Sequence, residues 1–124
     1  KHEETVQDFH NLKVWTKAHK LALAIYSVTR KFPKEETYGL RSQLRSSSAS
    51  IGMNIAEGCG RDGDKEFARF LHFSMGSANE LEYQLLLSRD LEFIQPDQFE
   101  ELQNRVAEIK RMLTSLLRKL RAVS

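Results

Sequence analysis

Apolar residues recur at spacings of three and four through most of this 124-residue chain, and nowhere alternate long enough to make a strand. That period marks amphipathic helices. Four such segments account for nearly everything after residue 11. The first, over 12–32, lines up Trp15, Ala18, Leu21, Ala22, Ile25, Thr29 and Phe32, with Asn11 as N-cap and Pro33 as stop. The second, over 35–57, carries Leu40, Leu44, Ile51 and Ile55 on one side. The third, over 62–93, opens at Asp62, a capping residue, and turns Phe67, Leu71, Ser74, Ala78, Leu81 and Leu85 inward. The fourth, over 96–121, starts at Pro96, a residue favoured in a first turn. Its Phe99, Leu102, Val106, Ile109, Leu113, Leu116 and Leu120 form a seven-residue repeat typical of bundle packing. Sixteen Leu against ten Val and Ile together point the same way. The prediction is an all-α four-helix bundle over 11–121, preceded by an N-terminal tail at 1–10.

The connection between the second and third helices contains GCGRDG (58–63), which matches the G-x-G-x-x-G pattern of dinucleotide-binding loops. That pattern cradles phosphates only where a strand feeds it and a helix opens from it. Here a helix, SASIGMNIAEG, feeds it. The glycines are therefore expected to end one helix at Gly58 and connect tightly to the next.

Composition narrows the class. The chain is 40% hydrophobic and 29% charged, with 6 Gly and 2 Pro, which suits a single globular domain. No apolar run approaches the ~18 residues of a membrane span, and no signal-peptide pattern opens the chain. The first residue is not Met, which leaves room for native residues before it. The single cysteine, Cys59, excludes an internal disulfide and suggests a reducing, cytoplasmic setting. The net charge of +2 conceals a strong pattern. Between Asp8 and Glu35 there are six bases and no acid, residues 57–101 hold eleven acids and four bases, and from Leu102 onward there are six bases and one acid.

Catalytic and metal signals are thin. Cys59 has no neighbouring His, and His2, His10, His19 and His72 lack metal-ligand spacing. Glu80 and Glu82 point to different sides of a helix, so their spacing does not make an acid/base pair. The expectation is no catalytic residue, no metal and no cofactor. The second helix carries a polar stripe, Gln43, Ser47, Ser50, Asn54 and Glu57, within about 80° of arc beside its apolar face. Such marginal groups need partners, supplied either by neighbouring helices or subunits or by a ligand. On the third helix Phe73, Gly76, Tyr83 and Leu87, with Leu86 nearby, lie opposite the core stripe. Large apolar groups on an outer face mark a protein interface, and Gly76 permits close backbone approach, so homo-oligomerisation is expected. Lys13, Lys17 and Lys20 share one outer face of the first helix. Arg111 and Arg118 occupy the outermost position of the fourth, with Arg105 and Lys119 beside them. One-signed stripes suit a phosphate backbone or an acidic partner.

Four segments, FHNLKVWTKA (9–18), FPKEETYGLRSQLRSSSASIGMNIAEGCGR (32–61), KEFARFL (65–71) and GSANELEYQL (76–85), carry a family resemblance over roughly residues 9–120. The chain resembles the bacterial four-helix-bundle proteins encoded in intervening sequences of large-subunit ribosomal RNA genes, the S23 ribosomal-protein-like family. It is similar also to the accessory variability protein of diversity-generating retroelements. The resemblance implies an up-down antiparallel bundle assembling into a ring-like homo-oligomer, a pentamer. It also implies association with RNA or the ribosome, without an established enzyme activity. The motif residues Ser50, Asn54, Glu57, Gly58, Gly76, Ser77, Glu80 and Glu82 suit helix and subunit contacts better than chemistry. Two functions stay open: a structured-RNA-binding oligomer acting through the basic stripes, and a protein-interaction adaptor, for instance for a reverse transcriptase or the ribosome.

Overall fold

The computed structural model describes residues 8–123, so the tail expected over 1–10 lies outside the described residues up to residue 7. A 3-10 turn at Phe9–Asn11 leads into α1 (Lys13–Thr29). A second 3-10 turn at Lys34–Glu36 precedes α2 (Leu40–Cys59), followed by α3 (Gly63–Asp90) and α4 (Pro96–Val123). Among the described residues there is no strand. α1 packs on α2, α2 on α3, α3 on α4, and α4 closes back on α1. The register across α2 and α3 is antiparallel. Ser50 meets Ser77, Ile51 meets Ser74 and Gly58 meets Phe67. Lys17 against Glu108 ties α1 to α4. The all-α four-helix bundle is the observed fold.

Several helix ends fall elsewhere than periodicity predicts, each for a local reason. Asn11 does not cap α1. It ends the preceding 3-10 turn, which Asp8 caps by accepting from the His10 N–H at 3.0 Å. α1 stops at Thr29 rather than 32: the backbone tightens to three-residue bonds, Arg30 N–H to the Ser27 oxygen at 3.3 Å and Phe32 N–H to the Thr29 oxygen at 3.1 Å, while Arg45 of α2 donates to the Tyr26 oxygen at 3.1 Å. α2 starts at Leu40, not 35. The Glu36 carboxylate accepts from the Leu40 N–H at 2.8 Å, and a Cβ on Gly39 would lie 2.6 Å from that carboxylate. α2 then runs on to Cys59 rather than stopping at 57. α3 ends at Asp90, not 93, in a Schellman closure. Phe93 N–H donates to the Ser88 oxygen and Glu92 N–H to the Arg89 oxygen, both at 2.9 Å, with Glu92 at φ 66 where glycine is usual. Asp62 precedes α3 in extended conformation but makes no side-chain cap bond.

The core is one cluster fed by all four helices. Leu21 and Ile25, Leu44, Ile51 and Ile55, Leu71, Leu81 and Leu85, and Ile109 and Leu113 are fully buried. Each stabilises the fold by roughly 1.5–3 kcal/mol relative to an exposed side chain. Two positions are corrected. Val14 is buried where Trp15 was expected; Trp15 lies across the α1/α2 seam, stacked on His19 at 5.2 Å. On α4 the core passes through Leu117, and Leu116 is only partly buried. A straight helix falls ~20° behind a strict heptad each repeat, so a step of four replaces one of three.

Gly58 does not terminate α2 as expected; it is buried in the last turn, and Gly60 is the C-cap. Its role is proximity: a Cβ there would meet Phe67 Cδ1 at 2.9 Å and Phe70 Cβ at 3.0 Å. Gly58→Ala should therefore lower stability by about 1–3 kcal/mol despite alanine's better helix propensity. Thermal unfolding of the variant checks this. An unchanged midpoint would show that α2 and α3 separate at that end without cost.

Candidate nucleic-acid interface

The basic residues fall into two neighbouring groups on either side of α4. Where α1 meets α4, Lys17, Lys20 and Arg105 line a small depression of about 70 Å³ together with Glu108. Lys17 Nζ lies 3.2 Å from a Glu108 carboxylate oxygen, with both side chains close to half exposed. The lysine stripe is thus not one-signed in space, though such an exposed pair contributes only ~0–1 kcal/mol and leaves Lys17 able to exchange partners. Lys13 is exposed on the same helix. On the other flank of α4, Arg111 and Arg118 line a shallow depression of about 440 Å³ with Met75, Thr114 and Ser115. Lys119 is exposed nearby in sequence. Lys110, beside Arg111, is tied to Glu82 at 2.7 Å. Among the described residues, Lys13, Lys20, Arg105, Arg111, Arg118 and Lys119 have no ion-pair partner.

The polar stripe of α2 separates into buried and exposed parts. Ser47 is buried, while Ser50 and Asn54 are partly buried along the α2/α3 seam. The Asn54 amide donates to the Ser50 carbonyl at 2.9 Å and to its hydroxyl at 3.0 Å, and the Ser77 hydroxyl donates to Ser50 Oγ at 2.8 Å. Buried Ser74 donates across the same seam to the Ile51 carbonyl at 2.8 Å. These hydroxyls join helices. Glu57 departs from expectation: it is exposed and pairs with Arg61 at 3.0 Å one turn later. Gln43 is exposed as well.

On α3, Phe73 and Tyr83 are exposed at 45% and 61%. Phe73 stands edge-on to Phe70 at 5.3 Å, with the Arg69 guanidinium over both rings. Around Gly76, a Cβ would meet nothing within 4 Å. Glu80 is exposed. Leu87 corrects the expected outer face, being partly buried and packed against the core. Periodicity missed a second apolar surface, a groove of about 460 Å³ between α1 and α2. Its signal was present in small residues repeating on both helices: Ala18 and Ala22, and Ala49, Gly52 and Ala56.

Catalytic chemistry finds no foothold at Cys59. Burial pushes its thiol up to about 11 from an ordinary 9.0, helped by the Asp8 carboxylate, the reverse of an activated nucleophile. No group of three or more His, Cys, Asp or Glu suited to a metal occurs among the described residues. None of their helices is long and apolar enough to cross a membrane.

Two outcomes follow from this geometry. Ser50→Ala removes the shared acceptor of Asn54 and Ser77 and should cost about 0.5–1.5 kcal/mol. Glu57→Ala should stay within about 0.5 kcal/mol, since its partner is exposed. Equal effects in denaturant titration would contradict the division of the stripe. For Cys59, the folded thiol titrates above its unfolded value, so its contribution is intact below about pH 9 and lost as pH rises through about 11. Cys59→Ala should remove that share of the alkaline loss, and native Cys59 should alkylate far more slowly than the unfolded chain near neutrality. Equal alkylation rates would refute a buried thiol.

Comparison with known proteins agrees with the resemblance to the intervening-sequence family and does not extend to the retroelement protein. The model of the family described as "23S rRNA-intervening sequence protein" matches residues 10–115. A solved structure from Bacteroides thetaiotaomicron VPI-5482, described as a protein of unknown function from the S23 ribosomal protein family, is 29% identical. It superposes with a TM-score of 0.76 over 84% of this chain and 97% of its own. None of the curated proteins matches this chain. A four-helix bundle whose seams are built on SASIGMNIAEG and GSANELE, matched over 10–115, belongs to the 23S rRNA-intervening sequence protein family.

Proposed function

We propose that this chain is a non-enzymatic, self-associating helical bundle that binds structured RNA through the cationic surface of α4 and the adjoining edge of α1. The observation that carries the reading is the gathering of Lys17, Lys20 and Arg105 across two helices remote in sequence, with Arg111 and Arg118 on the other flank of α4. Phosphates neutralised there would release condensed counterions, which supplies affinity without base contacts. No aromatic ring interleaves with these cations, whereas the exposed rings of Phe73 and Tyr26 are covered by Arg69 and Arg45. Binding by shape and charge with weak sequence preference is the mode this favours. The family's link to ribosomal RNA genes supports RNA as the partner. Self-association, into the ring-like pentamer that the resemblance implies, rests on the exposed α3 face and would repeat the cations around the assembly. A second reading is a protein adaptor, for a reverse transcriptase or the ribosome. Exposed Leu23, Met53 and Tyr83 favour it, because they offer apolar area that RNA does not use.

The test is an anisotropy titration with structured RNAs of unrelated sequence at about 50 and 200 mM salt. Affinity should fall with salt at a log–log slope of about −0.7 to −0.9 per phosphate contact. Combined Lys20, Arg105, Arg111 and Arg118→Glu should weaken it at least ~10-fold with all RNAs alike. Unchanged binding by the charge-reversed protein would shift the function to the adaptor reading.

A further inference from the structure

The α1/α2 groove and the outer face of α3 are two apolar features left exposed, and they differ in shape. The groove is lined by the small side chains of Ala22, Ala49 and Ala56 and by Gly52, against which Trp15 packs from α1. Leu23 and Met53, exposed at 58% and 68%, stand as its walls. The α3 face is its converse, a ridge in which Phe73 and Tyr83 project on either side of the bare backbone at Gly76. We propose that the groove of one subunit receives the α3 ridge of a second copy of this chain, in a head-to-tail contact. This rests on the self-association read above and names the surface on which the α3 face docks.

Three observations select a second copy as the occupant. The dimensions correspond: Trp15 to Tyr26 spans about 17 Å of α1, and Phe73 to Tyr83 about 15 Å of α3, at 1.5 Å per residue. The charges are complementary. The groove lining contains no acid, and the acids of the α1/α2 hairpin, Glu35, Glu36 and Glu57, stand at its ends, so the stretch that carries the groove is cationic where it is charged. α3 carries Asp64, Glu66, Glu80, Glu82 and Asp90 against Lys65, Arg69 and Arg89. Glu80 lies between Phe73 and Tyr83 in sequence, is exposed, and among the described residues has no ion-pair partner. Arg45, whose guanidinium lies 4.6 Å from the Tyr26 ring centre, is a cation beside the groove for that carboxylate to meet. Finally, groove and ridge belong to different sides of the bundle, so a docked pair still presents one free groove and one free ridge. Where only one of the two contacts forms, the free groove and ridge take further copies and the contact propagates to a closed ring or an open filament.

The experiment uses two full-length variants with exposed substitutions. The groove variant is Leu23→Lys with Met53→Lys, and the ridge variant is Phe73→Glu with Tyr83→Glu. Circular dichroism and thermal unfolding verify that both keep the fold. In sedimentation velocity each variant alone should run as a monomer. Mixed in equal amounts, they should form a heterodimer and nothing larger, because only one intact groove meets one intact ridge. A ridge variant that dissociates while the groove variant assembles like wild type would overturn the groove as the docking surface and leave self-association standing. Wild-type protein that is monomeric at high micromolar concentration would instead overturn self-association itself. Should one double variant fail to fold, the single substitutions Met53→Lys and Tyr83→Glu carry the same mixing test. A mixture that stays monomeric while wild type assembles refutes the pairing.

Discussion

The close approach of α2 to α3 governs the rest of the bundle. Gly58 admits Phe67 and Phe70 at distances that no side chain would allow, and Ser74 reaches across to a carbonyl of α2. Hydroxyls at this seam must be satisfied as it closes, since an unpaired buried polar group costs about 1–3 kcal/mol. Ser50 accepts from both Asn54 and Ser77, so one side chain fixes the turn of its own helix and the height of the next. With α2 held this way, its opposite flank of Ala49, Gly52 and Ala56 turns to α1, and side chains this small leave a groove on the outside.

Chain closure converts the charge pattern into a surface. The two cationic segments lie at opposite ends of the sequence, and α4 packing on α1 makes them neighbours. Glu108, the one acid beyond residue 102, sits among them and takes Lys17. A half-exposed pair is readily exchanged in water, so an incoming phosphate competes with Glu108 on similar terms. The acidic segment forms the last turn of α2, all of α3 and the first turns of α4, and α3 bonds back to α4 through Glu82 and Lys110. A total charge of +2 therefore describes no part of the surface.

Much of the fold was legible because it depends on single helices. Leu40, Leu44, Ile51 and Ile55 are buried as their spacing requires, and Leu102 to Leu113 follow the heptad until helix geometry displaces Leu116 by Leu117. What escaped depends on pairs of helices. Glu57 belongs to the same stripe as Ser50 and Asn54 by angle, yet it lies far enough toward solvent to find Arg61 instead. Trp15 yields the inner position to Val14 because α2 passes close by at Gly52, whose Cβ would sit 3.4 Å from the indole nitrogen. The end of α1 depends in the same way on a residue of another helix, Arg45, which bonds the Tyr26 carbonyl. The groove escaped for a similar reason. Alanine and glycine barely register in a hydrophobic pattern, and a depression exists only once two such flanks face each other.

The proposed activities do not compete for the same surface. The groove occupies the α1/α2 side and the ridge the outer flank of α3, so neither uses α4. Arg111 and Arg118 would remain free in an assembled subunit, and Lys20 and Arg105 lie at the α1/α4 seam, away from the groove lining. Self-association would then act on RNA binding through multiplicity alone. Each added subunit brings another α4 to the same RNA as an intramolecular contact, and modest individual sites reach useful affinity in that way. The arrangement also accounts for an unremarkable net charge. A monomeric binder must concentrate its cations in one chain, whereas a repeated one can keep acids on the faces that hold its copies together.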